Sequence, residues 1–204
     1  LDEGIITIPF PNNPGLKSGW PHVLVKLLIL QKDFGGISGP TLLLDVDLVI
    51  TGSIDCFFDY KPDSFCMIHN WCNWRKRFLG LRPKVGNSSV VRFNSGDASH
   101  KIFKVFLNEM SDAENRSKFN TEQAFMTYAA KKVEWWPYSW VQSFKWNLRP
   151  IFPFNHFITP KLPKGCKFLV FHGKPDPDEA ISGYKGNRMH HSTKPVHWVK
   201  DLWQ

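Results

Sequence analysis

The sequence predicts an α/β fold, and three observations carry that expectation. Strand-sized apolar runs alternate along the chain with amphipathic stretches of helical spacing. Thr41-Leu42-Leu43-Leu44 is an apolar run of the kind a strand buried on both faces requires. Phe168-Leu169-Val170-Phe171 is a second such run, and it stops at His172.

In chain order, Ile5-Ile6-Thr7-Ile8 reads as a short first strand, closed by a Pro/Asn/Gly cluster through Gly15. Trp20 to Gln31 is predicted as a helix: Val23, Lys26, Leu27 and Leu30 recur at helical spacing, and Pro21 falls in the first turn. Glycines at 35, 36 and 39 break the chain before the Thr41–Leu44 strand, which halts at Asp45; Leu48-Val49-Ile50 then runs to a Gly52-Ser53 turn. Phe65–Ile68 and Ser89–Phe93 read as strands. Ala98–Met110 reads as a helix with Ile102, Val105, Phe106 and Leu107 on its apolar side. Asn120 is expected to open a further helix reaching about Lys132, with Gln123 completing a capping box. Trp140–Trp146 alternates like a strand. There is no internal repeat and no linker composition, so residues 1–204 are expected to form a single domain.

The 204 residues are 42% hydrophobic and 22% charged, which excludes a disordered chain. Nine Trp and 17 Phe point mainly to a well-filled core, and the Trp135–Trp146 cluster is read that way before it is read as a sugar platform. A formal charge of +8 favours an anionic partner. The Lys and Arg residues are scattered and no nucleic-acid-binding signature is present, so no nucleic-acid partner is expected. No apolar run approaches membrane-spanning length, so any membrane contact is expected to be peripheral. Four cysteines do not make a disulfide framework. Cys66-x2-His69-x2-Cys72 looks like half a zinc site, but it lacks the second pair that a structural site needs.

The chemistry concentrates at two strand ends. Asp45 and Asp47 lie two apart, so in extended chain their carboxylates share a side and repel unless a cation lies between them. Ligands in open α/β sheets bind beyond the carboxyl ends of strands, so His172 and the Asp45/Asp47 pair could share one crevice. Oxygen ligands suit Mn²⁺ or Mg²⁺, and an added imidazole tilts the expectation towards Mn²⁺. Such an ion would clamp a diphosphate. Gly173 and Lys174 would add close backbone approach and a point charge. An isolated Asp-x-Asp is more often a solvated turn; the strand before it and His172-Gly173-Lys174 make this one more specific.

Leu43-Leu44-Asp45-Val46-Asp47-Leu48-Val49-Ile50-Thr51-Gly52-Ser53-Ile54-Asp55 resembles the signature of glycosyltransferases with the GT-A fold, in particular bacterial members related to the glycogenin and lipopolysaccharide galactosyltransferase group. Further stretches follow the same order: Gly19-Trp20 with Lys26, Asn87 to Phe93, Glu122-Gln123, Trp140 to Trp146, and Phe171-His172-Gly173-Lys174-Pro175. The resemblance covers nearly the whole chain. It implies a GT-A-like domain with a mostly parallel sheet flanked by helices, and a metal held by Asp45, Asp47 and His172. It further implies donor contacts from Lys26, Asp45, Asn87, Ser88, Gly173 and Lys174, with Gln123 and Glu122 near the reacting sugar. The implied reaction moves a hexosyl group from a nucleotide-sugar to a hydroxyl of a glycan or lipid-linked acceptor. The expected setting is cytoplasmic, at most peripheral to the inner face of a membrane.

Several residues also have a plainer reading. Lys26 fits the wet edge of an amphipathic helix. Asn87-Ser88-Ser89 is a glycosylation sequon, as is Asn115-Arg116-Ser117. Glu122 in a first turn suits the helix dipole. Asp55, Asp97 and Glu122 are all candidate general bases. Lys174-Pro175-Asp176 departs from the glycogenin pattern, where an aromatic residue follows the Lys-Pro pair, so acceptor contacts do not transfer there. Only 44 residues precede Asp45, so the family's opening strand and helix are expected to be missing, leaving an open edge; the chain is then expected either to bind donor weakly and hydrolyse it poorly or to borrow a covering element from a second copy. The rivals are a metal-dependent phosphohydrolase or nucleotidyltransferase and a non-catalytic sugar-nucleotide-binding protein.

Overall fold

A computed structural model describes residues 4–9, 22–71, 76, 78–81, 84–109, 118–119 and 121–203. Its strands are β1 (Gly39–Leu44), β2 (Leu48–Ile50), β3 (Cys66–His69), β4 (Gly86–Ser95), β5 (Glu134–Trp135), β6 (Val141–Ser143) and β7 (Phe168–Val170). The α-helices are α1 (Cys56–Asp59), α2 (Asp97–Glu109), α3 (Glu122–Ala129) and α4 (Pro177–Ser182).

Among the described residues the strands form two sheets, one in the order β1-β4-β3-β5 and one in the order β2-β7-β6. The expected mostly parallel sheet is instead mixed. β1–β4, β3–β4 and β2–β7 are antiparallel, and only β3–β5 and β6–β7 run parallel. Hydrophobic patterning shows that a strand is buried on both faces, but not which way its neighbour runs.

Alternation along the strands divides their side chains between three apolar layers. Val91 and Phe93 of β4 face a helical layer of Leu27, Leu28, Phe103, Phe106 and Phe125. Val90, on the other face, joins Phe57, Ile68, Trp136, Phe168 and Val170 between the two sheets. Leu169 and Phe171 point outwards from the second sheet to Phe144, Ala180, Val196 and Val199. The Thr41–Leu44 and Phe168–Phe171 runs are apolar throughout because both faces of each strand are covered.

Several predicted elements are altered. Residues 5–8 form no strand, and Ile6 is 84% exposed. The segment His22–Leu30 is a 3-10 helix, while Trp20 lies outside the described residues. The buried face of α2 is Ser99, Ile102, Phe103 and Phe106, with Leu107 turned out. Thr121 caps α3 by accepting a hydrogen bond from Ala124 N; Asn120, the expected cap, lies outside the described residues. The helix ends at Ala129, and Lys131 beyond it adopts φ 57°. Strand β6 stops at Ser143, where a π-helical turn, Phe144–Leu148, takes over. Two side chains divert the backbone there: Asn147 Oδ1 accepts from Ser143 N at 2.8 Å, and Ser143 Oγ accepts from Trp146 N at 3.1 Å.

Among the described residues Arg92 is the largest fully buried side chain, and it sits in β4, paired on either side by β1 and β3. Its guanidinium donates to the carbonyls of Tyr60, Lys61 and Pro62, and to Cys66 Sγ at 3.1 Å. Removing it would orphan those carbonyls and leave a void between the sheets. We expect Arg92→Ala to cost about 3–5 kcal/mol, read as a lower midpoint in urea unfolding.

Candidate functional site

Two backbone bonds place the acidic pair. Asp45 N donates to Ser89 O at 3.0 Å, extending the β1–β4 ladder by one residue. Phe171 N donates to Asp47 O at 2.8 Å, extending the β2–β7 ladder in the same way. Asp45 is thus tied to the first sheet and Asp47 to the second. Val46, bridging them, is almost fully exposed.

Lys26, on the 3-10 helix, reaches across to this junction. Its Nζ lies 2.5 Å from Asp45 Oδ1 and 2.7 Å from Ser88 O. Ser88 Oγ in turn donates to Glu122 Oε1 at 2.7 Å. The chain Asp45–Lys26–Ser88–Glu122 therefore joins β1, the 3-10 helix, β4 and the first turn of α3. Lys26 is not the solvated edge of a helix: it is half-buried and spans layers.

Asp47 is set differently. Its Oδ1 is buried and has no hydrogen-bond partner. Burial and, next, the negative charge of Asp45 push its carboxyl pKa upwards. A divalent cation would relieve both effects, and the donors available, carboxylate oxygens, suit Mn²⁺ or Mg²⁺.

His172 follows Phe171, so its backbone adjoins Asp47, but its ring is engaged elsewhere. Nε2 lies 2.7 Å from Ser143 Oγ, and the ring stacks on Trp71 with centroids 5.1 Å apart and planes 8° apart. Burial, helped by the charge of Lys145, lowers its pKa from 6.5 to about 4, so the imidazole is neutral at neutral pH. Among the described residues, no three His, Cys, Asp or Glu side chains lie close enough together to hold an ion.

The other candidates are dispersed around this junction. Gly173 has φ 73° and open space where a Cβ would stand, so its backbone is approachable. Lys174 is exposed and bonded to Asp176 Oδ2 at 2.6 Å and Glu179 Oε1 at 2.9 Å, contacts that raise its pKa. Asn87 Oδ1 accepts from Ser89 N at 2.9 Å, a local turn-like contact within β4. Gln123 uses its carbonyl oxygen to accept from Thr127 Oγ1 at 2.7 Å. Of the candidate bases, Glu122 joins the site through Ser88. Asp97 pairs with Lys32 beyond the far end of β4, and Asp55 accepts from Ser53 Oγ. Cys66 is taken by Arg92 and His69 stacks on Trp135, while Cys72 lies outside the described residues, as does Asn115.

Sequence reasoning passed over the roles of Ser143 and Trp71. Neither has a spacing that links it to His172; the contacts arise only when β6 and β7 pair and the residues after β3 fold across them.

No protein-family model matches the chain. No curated protein matches it either. Among solved structures it is similar to a crystal structure of the galactosyltransferase LgtC in complex with donor and acceptor sugar analogues, at 12% identity and a TM-score of 0.46. The match covers 76% of this chain and 59% of that one, so the chain spans less than two thirds of the length of the protein it matches.

Two outcomes follow from these protonation states. His172 stays neutral when folded down to about pH 4 but takes a proton near 6.5 when unfolded, so between those values the unfolded chain binds more protons. Its contribution is complete above the upper value and is lost as pH falls to the lower one, by roughly 1–3 kcal/mol after allowance for its partial exposure. Melting temperatures across that range should show the slope, and His172→Gln should flatten it. For Asp47 the sign is opposite, because a raised carboxyl pKa means that its charge disfavours the folded state at neutral pH. Asp47→Asn should therefore melt no lower than the wild type at pH 7, and by this reckoning slightly higher.

Proposed function

We propose that the chain is the donor-handling domain of a metal-dependent glycosyltransferase that moves a hexosyl group from a nucleotide-sugar to a hydroxyl of a glycan or lipid-linked acceptor. The observation that carries this reading is the Asp45/Asp47 pair at the junction of the sheets, one carboxylate held by Lys26 and the other with its Oδ1 buried and unbonded.

In this reading Asp45 and Asp47 hold Mn²⁺ or Mg²⁺, with His172 as a further ligand once Ser143 releases its ring. When bound, the ion would offset the charge of a diphosphate leaving group. The chain's own residues do the rest. Lys26 is placed to share its charge between Asp45 and the donor. Gly173 lets a phosphate approach the backbone, and Lys174 exchanges its carboxylate partners for that phosphate. Ser88 and Glu122 orient one another and border the sugar, with Gln123 beside them at the start of α3. Catalysis in such a site rests on positioning and charge stabilisation. A phosphohydrolase or nucleotidyltransferase would call for further carboxylates around Asp47. The side chain bonded to this pair is instead a cation, Lys26 on Asp45, and the nearest further carboxylate in that chain of contacts, Glu122, is reached only through Ser88.

Calorimetric titration with a nucleoside diphosphate tests the reading. Binding should require Mn²⁺, and Asp47→Ala should weaken it by at least roughly tenfold, whereas Lys174→Ala should weaken it only several-fold. Affinity should also fall as pH drops through the raised pKa of Asp47, because the proton competes with the cation. Equal affinity in wild type and Asp47→Ala would remove the site from this junction. Release of free sugar from a nucleotide-sugar in the presence of Mn²⁺ distinguishes a transferase from a non-catalytic binding protein.

A further inference from the structure

The chain from Arg149 to Pro160 leaves the π-helical turn and crosses the surface before β7. It carries an unusual set of exposed side chains: Phe157 is 77% exposed, Ile151 60%, Phe154 53% and Ile158 49%. Phe154, Phe157 and Ile158 fall at i, i+3 and i+4 of a single turn, Phe154–His156 being 3-10 helical and Ile158 N bonding to Phe154 O at 2.8 Å. That spacing places the three on one side.

The segment is firmly held. Asn155, on the opposite side of the turn, is fully buried, and its Nδ2 donates to the carbonyls of Met189 and Ser192, both at 2.9 Å. Arg149 Nη1 donates to His191 O at 3.0 Å, and Trp198 Nε1 to Pro160 O at 3.0 Å. These contacts also bring Met189, itself 66% exposed, beside the turn. The apolar side chains are thus presented to solvent by a well-anchored backbone, which soluble surfaces seldom tolerate without a partner.

Charge identifies the partner. Between Glu134 and Asp176 the sequence has no acidic residue, yet besides Lys174, which Asp176 and Glu179 hold, it carries Lys145, Arg149, Lys161, Lys164 and Lys167. The adjoining 180–200 stretch likewise has basic residues and no acidic one. Trp146, near the start of the segment, is exposed with Lys145 Nζ 5.2 Å from its ring centroid. Phe, Ile, Met and Trp exposed on stretches of chain whose charges are all positive match an anionic bilayer: its acyl boundary takes the rings and its phosphates take the lysines. A protein partner complementary to so uniform a charge would itself have to be strongly acidic as well as apolar. Among the described residues no helix is long and apolar enough to cross a membrane.

From this we infer that the turn 151–158, with Met189 and the flanking lysines, is a docking surface for an anionic lipid membrane. The inference does not depend on the metal or donor reading. Along the chain the surface follows the π-helical turn that starts at Phe144, next to the Ser143 that holds His172. A protein seated this way would meet acceptors carried on lipid.

Co-sedimentation with unilamellar vesicles decides the matter. The wild type should bind vesicles of phosphatidylglycerol mixed with phosphatidylcholine, fail to bind pure phosphatidylcholine, and release as salt rises. Phe154→Ser/Phe157→Ser should weaken binding by at least roughly tenfold, and Lys161→Glu/Lys164→Glu by a similar factor with loss of the salt dependence. All four side chains are exposed, so both variants should keep the wild-type circular dichroism and melting temperature. Absence of wild-type binding, equal binding by the Phe variant, or equal binding to neutral vesicles would overturn the proposal. So would a concentration-dependent dimer, seen by light scattering without lipid binding and abolished by the same Phe substitutions, since the surface would then belong to a second copy.

Discussion

The step from β1 to β2 governs the rest of the molecule. Leu44 ends a strand of one sheet and Leu48 begins a strand of the other, so Asp45, Val46 and Asp47 must bridge the two sheets. Both ends of the bridge are held by ladder-type hydrogen bonds, to Ser89 and to Phe171. With so little chain available, the sheets are forced close together there, and Phe57, Val90, Trp136 and Phe168 fill the space between them. The same constraint sets two carboxylates at the mouth of the junction, one on each sheet. Their separation is fixed by sheet packing and not by a flexible loop.

This arrangement explains why a lysine from a third element is needed. Two neighbouring carboxylates without a counter-charge would oppose closure of the sheets. Lys26 supplies a positive charge to one of them and anchors itself on Ser88, whose hydroxyl reaches Glu122. The helical layer is thereby coupled to the junction by polar contacts in addition to the packing of Leu27 and Leu28 against Phe106 and Phe125. Asp47 is left outside that network, so the two aspartates are held unequally.

Much of this was legible in the sequence wherever a local pattern has a single physical meaning. The runs Thr41–Leu44 and Phe168–Phe171 declared doubly buried strands, and the stops at Asp45 and His172 marked strand ends. Pairing direction was not legible, because a strand covered on both faces looks alike beside parallel or antiparallel neighbours. The turn after Ser143 was hidden for another reason: alternation in Trp140–Trp146 mimics a strand, while Ser143 and Asn147 redirect the backbone by hydrogen bonds that periodicity does not register. Ile5–Ile8 has strand composition but is offered no partner among the described residues. The imidazole of His172 was expected beside the aspartates. Ser143 and Trp71 orient it instead, and nothing in their spacing announces that they meet it.

Arg92 has a consequence for the order in which the chain can assemble. Its guanidinium leaves water only if the carbonyls of residues 60–62 are already there to receive it, and those carbonyls come into position as β3 pairs with β4. Partial closure would strand a bare cation between apolar layers, so intermediates with β4 docked but this loop open are penalised. The loop and the central strand must therefore close as one event and open as one event. Cleavage of a peptide bond in the 60–62 loop would therefore report release of the central strand, a sub-global opening and not a local motion of the surface.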